Sequence, residues 1–326
     1  MQEINRDLLI AKAKELLDAG KVDRLLGWKR GEFDWDVTPA VFTADNLGEF
    51  IYNGFCGANF SKYLIAETRK SDKKVLVFLK PCDTYSFNQL LTEHRFDRER
   101  VYAVGIPCEG MLDIAKIRGL SDNIASVTDG DTVKIETLWD GEITAERETL
   151  LAERCLNCKS KKHVAYDELI GDEGEVLDSH RFDEVERLES LTPDERYAFW
   201  QNELSRCIRC NACRDVCPAC TCEKCVFDNP KSGLENKAAA NEFEEKLFHI
   251  IRAFHVAGRC TDCGECSRVC PQHIPLHLLN RKFIRDIDNF YGEYQAGAEV
   301  GSRAPIVNFT TDDLEPSEAV RRDENA

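Results

Sequence analysis

Sixteen cysteines stand in this 326-residue chain, and eleven of them lie between Cys207 and Cys270. Eight form two copies of one pattern, Cys207-x2-Cys210-x2-Cys213-x3-Cys217-Pro218 and Cys260-x2-Cys263-x2-Cys266-x3-Cys270-Pro271. Soft thiolates are the ligands that iron–sulfur centres select. Two-residue gaps let one tight loop aim three sulfurs at a small cube, and proline after the fourth cysteine keeps the loop from running on as a helix. The intervening residues leave backbone N–H groups free to bond the sulfurs, which is one lever on reduction potential. Structural zinc also takes closely spaced cysteine pairs, but each run adds a third cysteine and then Cys-Pro, the pattern of [4Fe–4S] ligation. Disulfides are the least favoured use of this many thiols in a chain without a secretory signal. The chemistry such a set performs is one-electron transfer.

The doubled run resembles that of bacterial two-cluster ferredoxins. There the first three cysteines of a run hold one cube and the fourth crosses to the other. The resemblance implies that Cys207, Cys210, Cys213 and Cys270 hold one cluster and Cys260, Cys263, Cys266 and Cys217 the other. Cys220, Cys222 and Cys225 are surplus to both. Their use stands open between a fourth cluster completed by a thiol from the N-terminal half, a zinc site, and simple packing.

Helices must deliver these runs. Thr192-Pro193-Asp194-Glu195 has the form of a helix start, with Thr192 as cap and acids in the first turn, and the helix should reach about Leu204. Residues 236–257 read as the strongest helix, stopped by Gly258 immediately before Cys260. Residues 275–291 should form a closing helix. Two cysteine runs split by a helical insertion resemble the helical ferredoxin domains of succinate dehydrogenase-like and heterodisulfide reductase-like subunits. Arg206, Arg209, Arg214, Arg259 and Arg268 flank the cysteines; their default is solvation, the alternatives being to raise local potential or pair with the acidic surface. The seven histidines, among them His249, His255, His273 and His277, read as structural or exposed.

In the N-terminal half, residues 4–19 repeat apolar side chains at helical spacing up to Gly20. Val75–Leu79 and Val101–Ile106 are short apolar runs, each followed by a plausible helix over 83–91 and 109–118. Buried parallel strands alternating with helices read this way, giving an α/β domain. Both strands end alike, in Lys80-Pro81-Cys82-Asp83 and Ile106-Pro107-Cys108-Glu109, at the strand-to-helix turn where open α/β sheets place their binding crevices. Cys56 lies in another expected loop, and Cys155-x2-Cys158 follows the α/β region. These cysteines are expected to converge on a further [4Fe–4S] cluster, held by Cys108, Cys155, Cys158 and either Cys82 or Cys56. Inert buried thiols are the alternative.

Gly105-Ile106-Pro107-Cys108-Glu109-Gly110-Met111, the Cys82 turn, and Cys155-x2-Cys158 followed by Tyr166-Asp167-Glu168-Leu169-Ile170-Gly171 resemble the beta-subunit family of coenzyme F420 (deazaflavin) hydrogenases and dehydrogenases, formate dehydrogenase beta chains included. The resemblance spans about residues 15–175 and implies an iron–sulfur cluster in this domain. Some members also bind FAD and the deazaflavin. The Gly-Gly segment associated with flavin there is not apparent, and no G-x-G-x-x-G occurs, so FAD is a possibility that the sequence does not support.

The expected organisation is an α/β domain over 1–175, an acidic linker over 176–195, a mainly helical two-cluster ferredoxin-like domain over 196–292, and a tail over 293–326, disordered or draped over a partner from about Thr310. Net charge is −16, from 59 acidic and 43 basic side chains, which argues against nucleic acid or anionic lipid as partner. The start lacks the features of a signal peptide, and no apolar stretch approaches the roughly 18 residues of a membrane span. A cytoplasmic protein of an anaerobic organism is expected. It would be an electron-transfer subunit relaying through three or four [4Fe–4S] clusters between a flavin or metal-centre partner (flavoprotein, hydrogenase, formate dehydrogenase or heterodisulfide reductase-like) and another carrier. The alternative is a flavin-containing reductase exchanging hydride with a deazaflavin or nicotinamide. No catalytic residue is discerned.

Overall fold

The computed structural model describes residues 4–177, 179–229, 231 and 242–307. Helix α1 (Arg6–Asp18) begins where the Asn5 side chain accepts from the Leu8 N–H, and it buries Leu9, Ala13 and Leu16. Gly20 then turns the chain at φ +64°. Strands β1 (Arg24–Arg30), β2 (Val37–Phe42) and β3 (Phe50–Ile51) precede α2 (Ser61–Glu67), β4 (Val75–Leu79), α3 (Pro81–Thr92) and β5 (Val101–Gly105). Next come α4 (Ile114–Arg118), β6 (Ile124–Thr128), β7 (Thr132–Thr137), β8 (Glu142–Glu146), α5 (Glu153–Leu156) and β9 (Glu168–Leu169).

The main sheet runs β2-β1-β4-β5-β9, with β3 also on β1. The β1–β4, β4–β5 and β5–β9 pairs are parallel. Every residue of β4 is buried, as a central strand covered on both faces requires. The helix expected over 109–118 starts only at Ile114, because the Asp113 side chain caps it at the Ala115 N–H. Residues 109–113 are instead irregular, with Gly110 at φ +106°. The antiparallel β6-β7-β8 sheet was not anticipated. Along β7 the buried Val133 and Ile135 alternate with exposed residues, and they pack with Leu112, Ile117 and Leu151 in a second small core.

Beyond it lie α6 (Asp183–Ser190), α7 (Pro193–Ser205), α8 (Ala212–Asp215), α9 (Glu242–Val256), α10 (Glu265–Arg268) and α11 (Leu276–Tyr291). The stretch expected as an acidic linker contains α6, whose Val185 and Leu188 are buried against Leu278 while its acids face outward. An amphipathic pattern was hidden there by the charge. Thr192 and Glu195 close a capping box at the start of α7. A core of Leu204, Phe227, Phe248, Ile274 and Leu276 packs around Cys213 and Cys266. Residues 236–241 of the expected long helix, and the tail from Thr310, lie outside the described residues.

Candidate iron–sulfur centres

The parallel sheet builds the first centre. Its β4 and β5 end at adjacent places, Leu79 pairing with Gly105, so Cys82 in the first turn of α3 and Cys108 just past β5 come to one edge. Helix α5 and its exit add Cys155 and Cys158. These four cysteines line one cavity, together with Asp262, Cys263 and Arg281. Backbone donors already point at the sulfurs: the Gly110 N–H to Cys108 Sγ at 3.4 Å and the Met111 N–H to Cys155 Sγ at 3.3 Å. Four thiols, two of them with an N–H group aimed at the sulfur, fit a [4Fe–4S] cluster. Burial pushes the Cys82 thiol well up, with Asp83 beside it adding to the rise, and burial also raises Cys108. Such ligands bind metal by releasing protons.

Cys56 is elsewhere. It is fully buried in the core of the main sheet, where its Sγ accepts from the Asn53 N–H at 3.3 Å, and it does not line that cavity. Burial pushes its thiol to about 12.

A second cavity is lined by Cys207, Cys210, Cys213 and Cys270, so the fourth thiol comes from the other run. The N–H of Arg209 donates to Cys207 Sγ at 3.4 Å. Asn211, Asp262 and Gly264 take positive φ within the cysteine loops, at 64°, 58° and 66°, the tight curvature that two-residue spacing demands. Cys266 is buried and Cys260 and Cys263 are partly so, and desolvation pushes each thiol to about 12. The Asn280 amide reaches toward Cys266 Sγ at 3.7 Å.

The three surplus cysteines have unlike surroundings. Cys220 hydrogen-bonds Cys217, which with burial pushes its thiol up. Cys222 is exposed, and Cys225 packs beside the Phe227–Phe248 core.

A buried ionic lattice joins the two cysteine-bearing regions. Arg154 donates to Gly57 O and Cys263 O, both at 2.8 Å, and pairs with Glu265 at 2.5 Å. Glu265 is fully buried, accepts from the Asn59 N–H at 3.2 Å and pairs with Arg268 at 2.7 Å. Burial alone would raise its carboxyl, but Arg268 and Arg154 outweigh that and hold it near 2. Nearby, Arg281 pairs with Asp262 at 2.8 Å and the Lys159 ammonium donates to Thr261 O.

The flanking arginines are not simply solvated. Arg206 pairs with Glu203, Arg209 with Glu245 at 3.4 Å, Arg214 with Asp228 at 2.7 Å and Arg259 with Glu93 at 2.6 Å. His249 is at a centre as well, its Nε2 3.2 Å from Cys207 Sγ. No motif marked His249, Arg154, Glu265 or Arg281, because their roles arise from contacts across the fold.

Residues 203–274 match the family described as a 4Fe-4S dicluster domain. Cysteine geometry and this match make the chain an iron–sulfur electron-transfer protein.

More particularly, it is 28% identical over 357 aligned positions to the F420-dependent formate dehydrogenase subunit beta of Methanocaldococcus jannaschii, covering 91% of this chain and 92% of that protein. It is 25% identical to the F420-dependent formate dehydrogenase 1 subunit beta of Methanococcus maripaludis, over 66% of this chain and 72% of the relative. A chain of the F420-reducing [NiFe] hydrogenase complex from Methanosarcina barkeri overlaps at a TM-score of 0.37 and 12% identity, covering 61% of this chain and 84% of that one. The chain thus resembles F420-linked beta subunits along most of its length and carries a dicluster domain at 203–274. Among the described residues no helix is long and apolar enough to cross a membrane.

Proposed function

We propose that this chain is the electron-relay subunit of a multi-subunit redox complex, with three [4Fe–4S] clusters in line. Cys82, Cys108, Cys155 and Cys158 hold the first, Cys260, Cys263, Cys266 and Cys217 the second, and Cys207, Cys210, Cys213 and Cys270 the third. When bound, such clusters accept and give single electrons. The chain's residues hold them in order and exclude water. One observation carries the reading: the cavity of the first four thiols is also lined by Cys263 and Asp262. The proposed first and second centres are therefore neighbours, and the Arg154–Glu265 lattice fixes their separation.

The architecture that goes with this is an α/β domain to about residue 175 and a mainly helical ferredoxin-like domain over about 196–292. Cys56 is a packing residue here, and Cys220, Cys222 and Cys225 are not assigned a fourth cluster, their surroundings being so different. The partner at one end is a flavin- or metal-bearing subunit. Similarity to F420-dependent subunits through the α/β region favours a second reading, in which this chain binds flavin itself and exchanges hydride with a deazaflavin.

Iron, acid-labile sulfide and flavin measured on protein prepared without oxygen test both. The relay predicts about 12 iron atoms per chain and no stoichiometric flavin. Flavin at one per chain supports the second reading, and a colourless or zinc-loaded protein ends both.

A further inference from the structure

We propose that Arg252 and His249, neighbours one turn apart on α9, set the reduction potential of the cluster held by Cys207, Cys210, Cys213 and Cys270, holding it above the value that its four thiolates alone would give. The inference rests on the cluster assignment proposed above and concerns what tunes that centre. Residues three apart on a helix share a face, and here that face is turned to the cysteine loop. Arg252 places one guanidinium nitrogen 3.4 Å from Cys213 Sγ and the other 3.2 Å from Cys213 O. His249 Nε2 lies 3.2 Å from Cys207 Sγ, and its Nδ1 is buried without a partner. Both side chains are almost wholly buried, at 5% and 2% exposure. The outer face of the same helix shows Ile250 and Phe254 to solvent.

Reduction adds negative charge that is shared by the cluster and its ligand sulfurs. A buried donor to those sulfurs, above all a charged one, stabilises the reduced form more than the oxidised form and so raises the potential. Because both side chains are buried, the effect is less screened than at the surface. Glu245 opposes it, since its carboxylate comes within 4.8 Å of both Cys207 Sγ and the His249 ring. That carboxylate is itself paired with Arg209 at 3.4 Å, whose guanidinium lies over the Phe248 ring at 4.1 Å. Glu245 is thus partly neutralised, while the positive charge of Arg252 faces the sulfur directly. Arg252 also reaches Cys220 Sγ, at 4.0 Å, a weaker contact than that to Cys213.

The test is a redox titration by electron paramagnetic resonance of the full chain, prepared without oxygen, with iron counted in every sample. Cys210→Ser, which alters one ligand of this cluster, identifies its wave. Arg252→Gln is expected to lower the potential of that wave by at least about 59 mV, a tenfold change in a one-electron equilibrium, and to move the wave of the neighbouring cluster by less, since the same charge also acts on Cys217 and Cys266. Arg252→Lys keeps the charge and should recover at least half of the shift. His249→Leu should lower the same wave by less. With iron undiminished, an unmoved wave in both Arg252→Gln and His249→Leu overturns the proposal. So does loss of that cluster in Arg252→Gln with no shift in His249→Leu, because Arg252 would then only brace the loop. Absence of iron from the unmutated protein would instead defeat the relay itself.

Discussion

The two cysteine-lined cavities are made by opposite means. In the first, Cys82 and Cys108 stand at the ends of neighbouring parallel strands, and Cys155 and Cys158 arrive from beyond a second sheet. In the other, Cys207 and Cys210 sit on one loop, Cys213 on the short helix α8 that follows it, and only Cys270 is imported. The first is therefore a product of long-range folding: it exists only if β4 and β5 pair in register. The second is largely local chain geometry, closed by one crossing thiol and roofed by α9. The sheet-built site should be all-or-none in its dependence on the fold, while the loop-built sites should depend on individual ligands and on the groups that touch them.

The largest expected effect separates the two directly. Cys108→Ser should remove about 4 of about 12 iron atoms, all from the sheet-built centre, and leave the signals of the other two. Cys270→Ser should instead disturb the centre of Cys207, Cys210 and Cys213, far from it in sequence. Iron analysis with paramagnetic resonance reads both variants. If Cys270→Ser perturbs the centre of Cys260, Cys263 and Cys266 and spares the other, the crossed arrangement fails.

Next in size is damage to the seam between the two kinds of site. Gly264 has φ +66°, and a Cβ there would meet the Arg154 side chain at 2.7 Å. Gly264→Ala therefore combines left-handed backbone strain with displacement of Arg154 from Glu265, together roughly 2–4 kcal/mol. Gly20 also has positive φ, +64°, but opens onto empty space. Gly20→Ala should lose only about 1–2 kcal/mol. Urea midpoints of the two variants, compared at one pH, measure the difference, and equal losses would show that Arg154 yields without cost.

A pH series sharpens the same seam. Glu265, held near 2 by Arg268 and Arg154 against the opposing effect of burial, binds its proton far less readily in the folded chain than in the unfolded one. The stability it contributes is fully present above the usual carboxyl pKa of about 4.5 and is lost as pH falls from there toward 2. A shift of that size corresponds to about 3 kcal/mol. Glu265→Gln should be less stable than the parent by about that amount, equally at pH 7 and pH 6, with the gap narrowing below about 4.5. A gap that already closes between pH 7 and 6 would mean that Glu265 is not the titrating group.

Much of this was readable in the residues because some signals are local. The runs at Cys207 and Cys260 carry their chemistry in their spacing, and the apolar blocks of β4 and β5 declare buried strands. Thr192, Pro193 and Glu195 announce a helix start by capping chemistry alone. What escaped was set by distance or masked by charge. Helix α6 shows only two buried apolar side chains among acids, and their partner Leu278 lies far along the chain. The β6-β7-β8 sheet is narrow, and half of its side chains are exposed. Arg252 and His249 fall inside a stretch that reads simply as a strong amphipathic helix. Nothing in it says that one turn of its buried face touches sulfur.

The smallest expected effect concerns the cysteine that the fold leaves out. Cys56 and Cys82 compete as the fourth N-terminal thiol on sequence grounds, both being cysteines in loops of the same domain. The structure puts Cys82 on the cavity wall and Cys56 in the apolar core, among side chains that include Phe60 and Met111. A buried free thiol behaves as a small hydrophobe, so Cys56→Ala should lose only its sulfur's packing, about 1 kcal/mol. The iron content and every redox wave should stay as they are. Cys82→Ala, identical chemically, should remove the whole sheet-built centre. Parallel iron counts on the two variants decide between them: a drop in iron for Cys56→Ala with none for Cys82→Ala would exchange their roles, and would require the loop after β3 to be drawn out of the core when iron binds.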